Sequence, residues 1–318
     1  MMLVPATKPT FYFIGVTTQH SAIMRVFPKW AAWLGLGDVA IKGIDLASNS
    51  SADAYRSVVS LLKSDPLSLG ALVTTHKLSL FEACFDQFDE VDPYARLMRE
   101  TSCLSKRNGA LICHAKDPIS SGLAIECFLP EKHFKKTHSD IFVIGAGGSS
   151  IAITWHAMRK MGQRGSPKRI IVSDRSKARL EHIERIHLQI GTSVPCEYAL
   201  ISEMRTNDHI LEGVPNGSLV INATGLGKDA PGSPLGENAL FPRHAIVWEL
   251  NYRGDLIFLE QANRQAVARD LQLEDGWTYF LHGWTQVIAE VFDIEIPTSG
   301  PQFEEISRIA ASAMGRTT

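Results

Sequence analysis

The sequence predicts an α/β protein with a doubly wound parallel sheet and a second, separate α/β domain. Short apolar runs of strand length alternate with helical patterns in the first third of the chain and again in its middle, which is typical of parallel sheets with crossover helices. In the middle of the chain the runs are continuous rather than alternating, as expected for strands covered on both faces. A length of 318 residues is enough for two domains of ordinary size.

Five elements are predicted in the first third of the chain. Three apolar runs are expected to be strands, at residues 11–16, 39–46 and 71–75. Two segments with apolar residues at helical spacing lie between these runs, at residues 21–36 and 54–63. Pro28 lies inside the first of the two and is expected to kink or delay that helix.

The middle of the chain repeats the pattern more clearly. Ile141–Ile144 is a wholly apolar run that leads directly into a glycine-rich stretch and then a helical pattern. Further strands are expected at residues 169–173, 219–223 and 245–250, and helices at 151–161, 175–188, 256–271, 277–292 and 303–314. The polar segment at residues 130–140 is expected to connect the two domains.

Composition excludes several classes of protein. With 32 basic and 34 acidic residues the formal net charge is −2, so there is no electrostatic footprint for nucleic acid or an anionic membrane. No apolar run approaches the length of about 20 residues needed to span a bilayer, and the start does not resemble a secretory signal. The five cysteines are scattered and odd in number, which favours reduced thiols over a metal or redox site. We therefore expect a cytoplasmic enzyme that acts on small molecules.

The glycine-rich stretch lies between a predicted buried strand and a predicted helix. Such a turn brings backbone N–H groups and the start of a helix to a pyrophosphate, and a small residue at the sixth position lets strand and helix pack closely. This context favours dinucleotide binding over a purely structural turn. The candidate cofactor-binding residues of the stretch are Gly145, Ala146, Gly147, Gly148, Ser149 and Ser150.

The end of the next predicted strand carries opposing signals for the choice of cofactor. Asp174 lies 29 residues after Gly145, and an acidic residue here bonds a ribose 2′-hydroxyl and repels a 2′-phosphate, which favours NAD. The basic residues that follow, Arg175, Lys177 and Arg179, could instead hold the phosphate of NADP. A third interpretation makes Asp174 the N-cap of a solvated helix. On balance the acidic residue favours NAD over NADP.

Lys77 and Asp117 are the candidate catalytic residues. Each follows a short apolar run, at residues 71–75 and 110–112, so each could lie at the carboxyl end of a strand, where ligands bind in α/β sheets. A lysine and an aspartate at such an edge could bond a hydroxyl and move its proton during hydride transfer. The alternative is that both are ordinary solvated charges.

Seven segments, in order along nearly the whole chain, resemble signature segments of the shikimate/quinate dehydrogenase family. They are residues 15–24 (GVTTQHSAIM), 72–77 (LVTTHK), 115–120 (AKDPIS), 145–148 (GAGG), 174–176 (DRS), 222–227 (NATGLG) and 249–252 (ELNY). The match at residues 145–148 is complete, and the others are partial. Their number and order carry the resemblance, rather than any single segment.

The resemblance implies an NAD(P)-dependent dehydrogenase with a Rossmann-type cofactor domain and a cleft between the two domains for both ligands. It places Lys77 and Asp117 at the positions of the family's catalytic pair, with Lys77 relaying the proton of the alcohol. It implies substrate binding by Ser21, Thr74, Ser102, Tyr252 and Gln286, and a nicotinamide next to Ala223, Thr224 and Gly225. Thr18, just before the pair His20 and Ser21, is expected to bind the substrate in place of a lost donor. Gln286 lies about three residues later than the family spacing requires.

Departures from the family pattern concern the substrate side. Ile23 replaces the second of two serines that grip the substrate carboxylate, and Leu72 and Ala115 replace asparagines that bond ring hydroxyls. Ser102 stands where the family has a further asparagine. A buried hydroxyl left unpaired costs about 1–3 kcal/mol, so three such losses would total about 3–9 kcal/mol if they added. The substrate is therefore expected to be a less polar or differently substituted compound than shikimate.

The expected substrate domain comprises residues 1–118 with the C-terminal helices at 265–318, and the expected cofactor domain comprises residues 130–264. The expected activity is reversible hydride transfer to or from a secondary alcohol of a cyclic hydroxy or oxo acid, by a monomer or homodimer. Two alternatives stay open: an ordinary shikimate or quinate dehydrogenase, and a metabolite-sensing member without catalysis. The presence of both Lys77 and Asp117 favours an enzyme.

Overall fold

The computed structural model describes residues 4–159, 161–228 and 230–316, without the side chains of residues 163, 204 and 205. The chain divides into two compact units, one formed by Met1–Lys116 with Gly283–Thr318 and the other by Asp117–His282. Each unit contains one six-stranded sheet. No helix among the described residues is long and apolar enough to cross a membrane.

The first unit begins with ten regular elements in strand–helix alternation. They are β1 (Thr10–Gly15), α1 (Ile23–Trp33), β2 (Ala40–Asp45), α2 (Ala52–Ser64), β3 (Ser68–Val73), α3 (Lys77–Cys84), β4 (Glu90–Val91), α4 (Pro93–Met98), β5 (Cys103–Arg107) and β6 (Ala110–His114). The strand order is β2-β1-β3-β5-β6-β4. Only β5 runs antiparallel to its neighbours, so β1, β3 and β6 all end at the same edge of the sheet.

The second unit continues with helices on an all-parallel sheet. Its elements are α5 (Asp117–Phe128), α6 (His133–Thr137), β7 (Ile141–Ile144), α7 (Gly148–Arg159), β8 (Ile170–Asp174), α8 (Lys177–Ile190), β9 (Cys196–Leu200), α9 (Met204–Gly213), β10 (Leu219–Asn222), β11 (Ile246–Glu249), α10 (Ile257–Asn263), α11 (Ala266–Arg269) and β12 (Gln272–Glu274). Then α12 (Trp277–Phe292) leads back to the first unit, which α13 (Gly300–Met314) completes.

The second sheet has the strand order of a dinucleotide-binding fold. Its order is β12-β11-β10-β7-β8-β9, so β7 and β10 are neighbours at the point where the winding reverses. Ligands of open parallel sheets bind outside the carboxyl ends of the strands at this switch point. The four residues of β7 and the four of β10 are all buried, as apolar runs covered on both faces require. The predicted α/β fold class is confirmed.

One local expectation is wrong, and the kink expected at Pro28 stays a prediction. The single helix expected at residues 256–271 is instead α10 and α11, and the strand β12 follows at once and pairs in parallel with β11. Asp270, with φ at +52°, ends α11 in the left-handed conformation and separates it from the strand. Pro28 lies inside α1, which begins at Ile23 and continues to Trp33, because the buried face that includes Trp30 packs under α13 and its indole donates to Ile306 O.

The predicted connection between the domains is attached to the second unit. It contains α6, and both His133 Nε2 and Ser139 Oγ bond the carbonyl of Gly217. The two compact units have bounds other than those of the predicted domains: residues 117–118 and 265–282, expected in the substrate domain, lie in the second unit, as do residues 119–129, which belong to neither predicted domain. The pairing of β12 with β11 explains the position of residues 265–282.

Candidate active site

The turn between β7 and α7 has the close backbone approach that dinucleotide binding requires. Gly145 has φ at +106°, and a Cβ there would lie 2.9 Å from Ala223 O, so only glycine fits between the ends of β7 and β10. Ser150 is buried, and its hydroxyl donates to Gly145 O at 2.7 Å, which closes the turn from the helix side. The first turn of α7 therefore presents its N–H groups at the switch point of the sheet.

Asp174, the last residue of β8, bonds the glycine-rich turn directly. Its Oδ2 accepts from Ala146 N at 2.8 Å, and its Oδ1 accepts from Ser176 N at 2.7 Å. The N-cap of α8 is Ser176, whose Oγ accepts from Arg179 N, so the interpretation of Asp174 as a simple helix cap is wrong. Arg175 and Lys177 are exposed.

A buried network fixes the segment that follows β10. Asn222 Oδ1 accepts from both N and Oγ1 of Thr224, at 3.0 and 2.7 Å, and Asn222 Nδ2 donates to Glu249 Oε2 at 2.6 Å. Glu249 is fully buried, and its burial raises the pKa of the carboxyl to about 7, although hydrogen bonds from Asn251 and Asn222 oppose the shift. Asn251 also donates to Leu226 O. These hydrogen bonds therefore fix the turn that contains Ala223, Thr224 and Gly225.

Asp117 begins α5 and is buried. Its Oδ2 lies 3.1 Å from the hydroxyl of Tyr279, and the same hydroxyl lies 3.1 Å from Ser149 Oγ in the first turn of α7. Sequence analysis missed Tyr279, although it lies three residues after Gly276 in a segment compared with the family. The structure therefore connects the candidate catalytic carboxylate with the candidate cofactor-binding turn inside one unit.

Tyr252 belongs to an aromatic cluster at the start of α12. Its ring centroid lies 4.6 Å from that of Phe280 and 6.0 Å from that of Trp277. The ring is half-buried, and the cluster fixes its position after β11. The predicted role of Tyr252 in substrate binding stays a prediction.

In the first unit, Thr18 is turned inward. Its N and Oγ1 both donate to Asp45 Oδ1, at 2.8 and 2.5 Å, and the side chain is buried. A Cβ on Gly43 would collide with Thr18 Oγ1, so the glycine makes room for this contact. Because its only hydroxyl proton is given to Asp45, Thr18 could act toward a substrate only as an acceptor.

The segment between β3 and α3 is anchored by His76. Thr74 N donates to Ile14 O, and Thr75 adopts φ at +58°, which is a strained conformation for a β-branched residue. His76 is buried, with Nε2 3.0 Å from Leu46 O and Nδ1 2.9 Å from Tyr55 OH. The carbonyl can only accept, so Nε2 carries the proton and Tyr55 donates. His76 therefore fixes the backbone immediately before Lys77.

Lys77 is the first residue of α3 and is half-buried. Its carbonyl accepts from Thr101 N at 3.0 Å, which ties the start of the helix to the segment before β5. Lys77 belongs to the first unit and Asp117 to the second, so their predicted pairing stays a prediction.

Ser102 stabilises the carboxyl end of β6. Its Oγ accepts from Lys116 N at 2.7 Å, and its backbone bonds Val73 and His114. Lys116 Nζ makes a short ion pair with Glu290 on α12. Burial raises the pKa of the Glu290 carboxyl, but the bond from Lys116 and the nearby His114 outweigh it and hold that pKa below its ordinary value. Sequence analysis missed this ion pair directly before Asp117.

Three positions that depart from the family pattern, Leu72, Ala115 and Ile23, are apolar and buried. Leu72 lies beside Phe13 in the register of β3 and β1, and the ring of Trp284 meets that of Phe13 edge-on at 5.0 Å. Ala115 and Ile23 are fully buried.

The other two predicted substrate residues of this unit lie on separate elements. Ser21 is buried, and its N donates to Thr18 O at 3.0 Å, so it ends the short turn that Thr18 begins. Gln286 is half-buried on α12. Their predicted contacts with a substrate stay predictions.

Comparison with known proteins finds similarity to shikimate dehydrogenases. The chain is 26% identical over 189 residues, 59% of its length, to the shikimate dehydrogenase (NADP(+)) of Lactococcus lactis, and it spans 61% of that protein's length. No protein-family model matches it.

Solved structures resemble the chain over almost its whole length. Shikimate dehydrogenase from Aquifex aeolicus is 17% identical with a TM-score of 0.69, over 98% of this chain and 99% of that one. Quinate dehydrogenase from Corynebacterium glutamicum, in complex with NAD, is 16% identical with a TM-score of 0.69, over 96% and 99%. The chain has the fold of the shikimate and quinate dehydrogenases and resembles that family in sequence as a divergent relative.

Proposed function

We propose that the protein is an NAD(P)-dependent dehydrogenase that oxidises a secondary alcohol of a cyclic hydroxy acid and reduces the corresponding ketone. The observation that carries the proposal is the connection of Asp117 to Ser149 through Tyr279. It joins a carboxylate suited to proton chemistry with the turn suited to a dinucleotide. The similarity to shikimate dehydrogenases and the fold support the same activity.

The residues of the second unit would hold the cofactor. A nicotinamide dinucleotide, when bound, supplies the acceptor and the donor of hydride. Gly145 leaves room for a diphosphate next to the first turn of α7, and the turn at Thr224 is rigid because Asn222 and Glu249 support it. These groups fit such a cofactor through backbone donors rather than through charged side chains.

We propose that Lys77 and Asp117 handle the proton of the alcohol. In the oxidation, the C–H bond of the carbinol would break with its electron pair, the hydride passing to the oxidised nicotinamide when that cofactor is bound, and the O–H bond would give its proton to the neutral amine of Lys77, so that a carbonyl and a lysine ammonium form. Lys77 also stabilises charge on the oxygen, and Asp117 accepts a hydrogen bond from the same or an adjacent hydroxyl. The reduction returns the hydride and the proton in the opposite direction.

We further propose that NAD is preferred over NADP. Asp174 places a negative carboxylate beside the glycine-rich turn, and a 2′-phosphate nearby would meet a like charge. The similar proteins include both an NADP(+)-named enzyme and an NAD complex. Titration of the protein with NADH and with NADPH, followed by nucleotide fluorescence, should give the smaller Kd for NADH.

The substrate is proposed to carry fewer ring hydroxyls than shikimate. The side chains of Leu72 and Ala115 can make no hydrogen bond at positions where the shikimate/quinate dehydrogenase family has asparagines. Both side chains are buried. The test is the absorbance change at 340 nm with NAD⁺ and NADP⁺ across shikimate, quinate and cyclic hydroxy acids with fewer hydroxyls. Turnover fastest with the less hydroxylated acids is expected. Fast turnover of shikimate or quinate would identify an ordinary member of that type, and tight binding without any turnover would identify a sensor.

A further inference from the structure

Glu249, the last residue of β11, joins the two asparagines that hold the turn after β10. Its side chain is fully buried. Its Oε2 accepts from Asn222 Nδ2 at 2.6 Å, and its Oε1 accepts from the backbone N of Asn251 at 2.8 Å. Each oxygen of the carboxyl group therefore faces a donor.

The two asparagines bond the turn at residues 223–227 from two sides. Asn222 Oδ1 accepts from N and Oγ1 of Thr224, whereas Asn251 Nδ2 donates to Thr224 O at 3.3 Å and to Leu226 O at 3.1 Å. A side-chain amide has its acceptor on one side and its donors on the other. Asn222 can therefore turn its oxygen to Thr224 only while its nitrogen faces an acceptor, and that acceptor is Glu249.

The same turn lies against the glycine-rich turn between β7 and α7. A Cβ on Gly145 would lie 2.9 Å from Ala223 O and 3.3 Å from Thr224 N, so the backbones of the two turns pack directly on each other. A displacement of Thr224 would therefore change the space in which the proposed cofactor binds.

We propose that Glu249 is a positioning residue whose ionised form holds the turn at residues 223–227 ready for the dinucleotide, so that cofactor affinity depends on its protonation, an inference that rests on the proposed function. Protonation removes the charge that strengthens the bonds from Asn222 and Asn251. It also puts a proton on a group that both bonds need as an acceptor. The cofactor binds more tightly to the ionised protein, and by linkage its binding releases a proton.

The pH range of the effect follows from the surroundings of Glu249. Burial raises its pKa to about 7, although the bonds from Asn251 and Asn222 and the charge of Lys228 act against the shift. The titratable and charged groups on the neighbouring segments are Lys228, Tyr252, Arg253, Asp255, Glu274, Asp275 and Tyr279. Burial raises the pKa of Glu274 as well. Cofactor affinity is therefore expected to fall as the pH drops below neutrality.

The proposal is tested by the Kd of NADH, measured by nucleotide fluorescence between about pH 8 and pH 6. In the wild type this Kd should rise up to about tenfold over that range, as expected when binding removes one proton from a group whose pKa is about 7. Glu249→Gln has one oxygen for two donors and no charge. Its Kd should be raised about threefold to tenfold and should not vary with pH.

Glu184→Gln is the matched control, since Glu184 is exposed on α8 in the same unit. This variant should keep the pH profile of the wild type, and thermal melting checks that both variants are folded. An equal pH dependence in the wild type and Glu249→Gln would overturn the assignment.

A second measurement needs no variant. Calorimetric titration of the wild type with NADH near pH 7, in two buffers of different ionisation enthalpy, should show release of about half a proton for each cofactor bound. Binding without proton release, or a Kd that does not vary with pH, would overturn the role of Glu249. Failure of the wild type to bind NADH at every pH would instead reject the proposed function.

Discussion

The two units present their candidate sites on the same kind of edge, the carboxyl ends of parallel strands, but with different chemistry. In the second unit, polar side chains support the turns themselves: Asp174 accepts from Ala146 N, and Asn222 accepts from Thr224. In the first unit, the corresponding edge contains Leu72 beside Phe13 and a Thr18 whose proton is given to Asp45.

This difference matches two kinds of ligand: a dinucleotide, which many enzymes share, and a ring substrate, which is specific to one enzyme. A dinucleotide is bound largely through backbone N–H groups and tight turns, which a short sequence pattern can encode. A ring substrate is bound through individual side chains, each of which can change alone. The one complete match to the family pattern, at residues 145–148, lies in the second unit, and the apolar replacements Ile23, Leu72 and Ala115 lie in the first.

The largest expected effect is on catalysis and would test whether the first unit supplies the proton relay. Lys77→Met should lower kcat by about 10²–10⁴, the usual contribution of acid–base catalysis, while the Kd of NADH measured by fluorescence stays unchanged. The same substitution at the exposed Lys29 is the control and should leave kcat unaltered. Turnover near that of the wild type in Lys77→Met would rule out the role of this lysine.

The second effect concerns the buried carboxyl of the second unit and the pH dependence of stability. Burial raises the pKa of Glu249 from 4.5 to about 7, so the unfolded chain releases this proton first as the pH rises. The free energy of unfolding should therefore fall between about pH 4.5 and pH 7, by about 3 kcal/mol in all.

Glu249→Gln removes this titration and tests the assignment by chemical denaturation at several pH values. The unfolding free energy of the variant should lack the fall attributed to Glu249, whereas the exposed Glu184→Gln should keep the slope of the wild type. An unchanged slope in Glu249→Gln would show that this carboxyl is not the source.

The third effect tests whether cofactor binding depends on the backbone conformation of the turn at Gly145. Gly145→Ala places a Cβ at a positive φ and 2.9 Å from Ala223 O, which should cost about 1–3 kcal/mol of stability. The Kd of NADH should rise about tenfold or more, since 1.4 kcal/mol corresponds to tenfold. Gly213→Ala, where a Cβ would meet nothing within 4 Å, is the control for adding a methyl group. Unaltered affinity in Gly145→Ala would contradict the assigned turn.

The fourth effect concerns cofactor preference. Asp174→Asn removes a charge worth about 1 kcal/mol to a phosphate about 4 Å away in water, so the ratio of the Kd for NADPH to that for NADH should fall about fivefold to tenfold. Both constants come from fluorescence titration, with Asp208→Asn as a control in the same unit. If the ratio stays constant, the carboxylate charge of Asp174 does not set the cofactor preference, and the side chain acts through its hydrogen bonds to Ala146 and Ser176.

Local sequence patterns predict the elements whose residues carry a clear signal of their own. The strand and the site residue that the sequence analysis missed depend on contacts with residues far away in the chain. The strand Ile141–Ile144 was predicted at its observed bounds because an apolar run bounded by glycine is a local signal. Strand β12 has few strand-forming residues and is held by its pairing with β11. Tyr279 is 162 residues from Asp117, and no local pattern connects residues so far apart.

The smallest effect tests whether the apolar edge of the first unit sets the substrate. Leu72→Asn restores the asparagine of the resembling family and should raise kcat/KM for shikimate about fivefold to tenfold, the contribution of one hydrogen bond. It should also lower stability by about 1–3 kcal/mol, because a polar amide replaces an apolar side chain beside Phe13. Leu72→Met, which keeps the volume and the polarity, should change neither preference nor stability strongly. A higher kcat/KM for shikimate in Leu72→Asn, but not in Leu72→Met, would show that the residue at the end of β3 determines substrate specificity. No gain would show that the substrate is recognised elsewhere, so that the contrast between the two edges reflects packing rather than the choice of ligand.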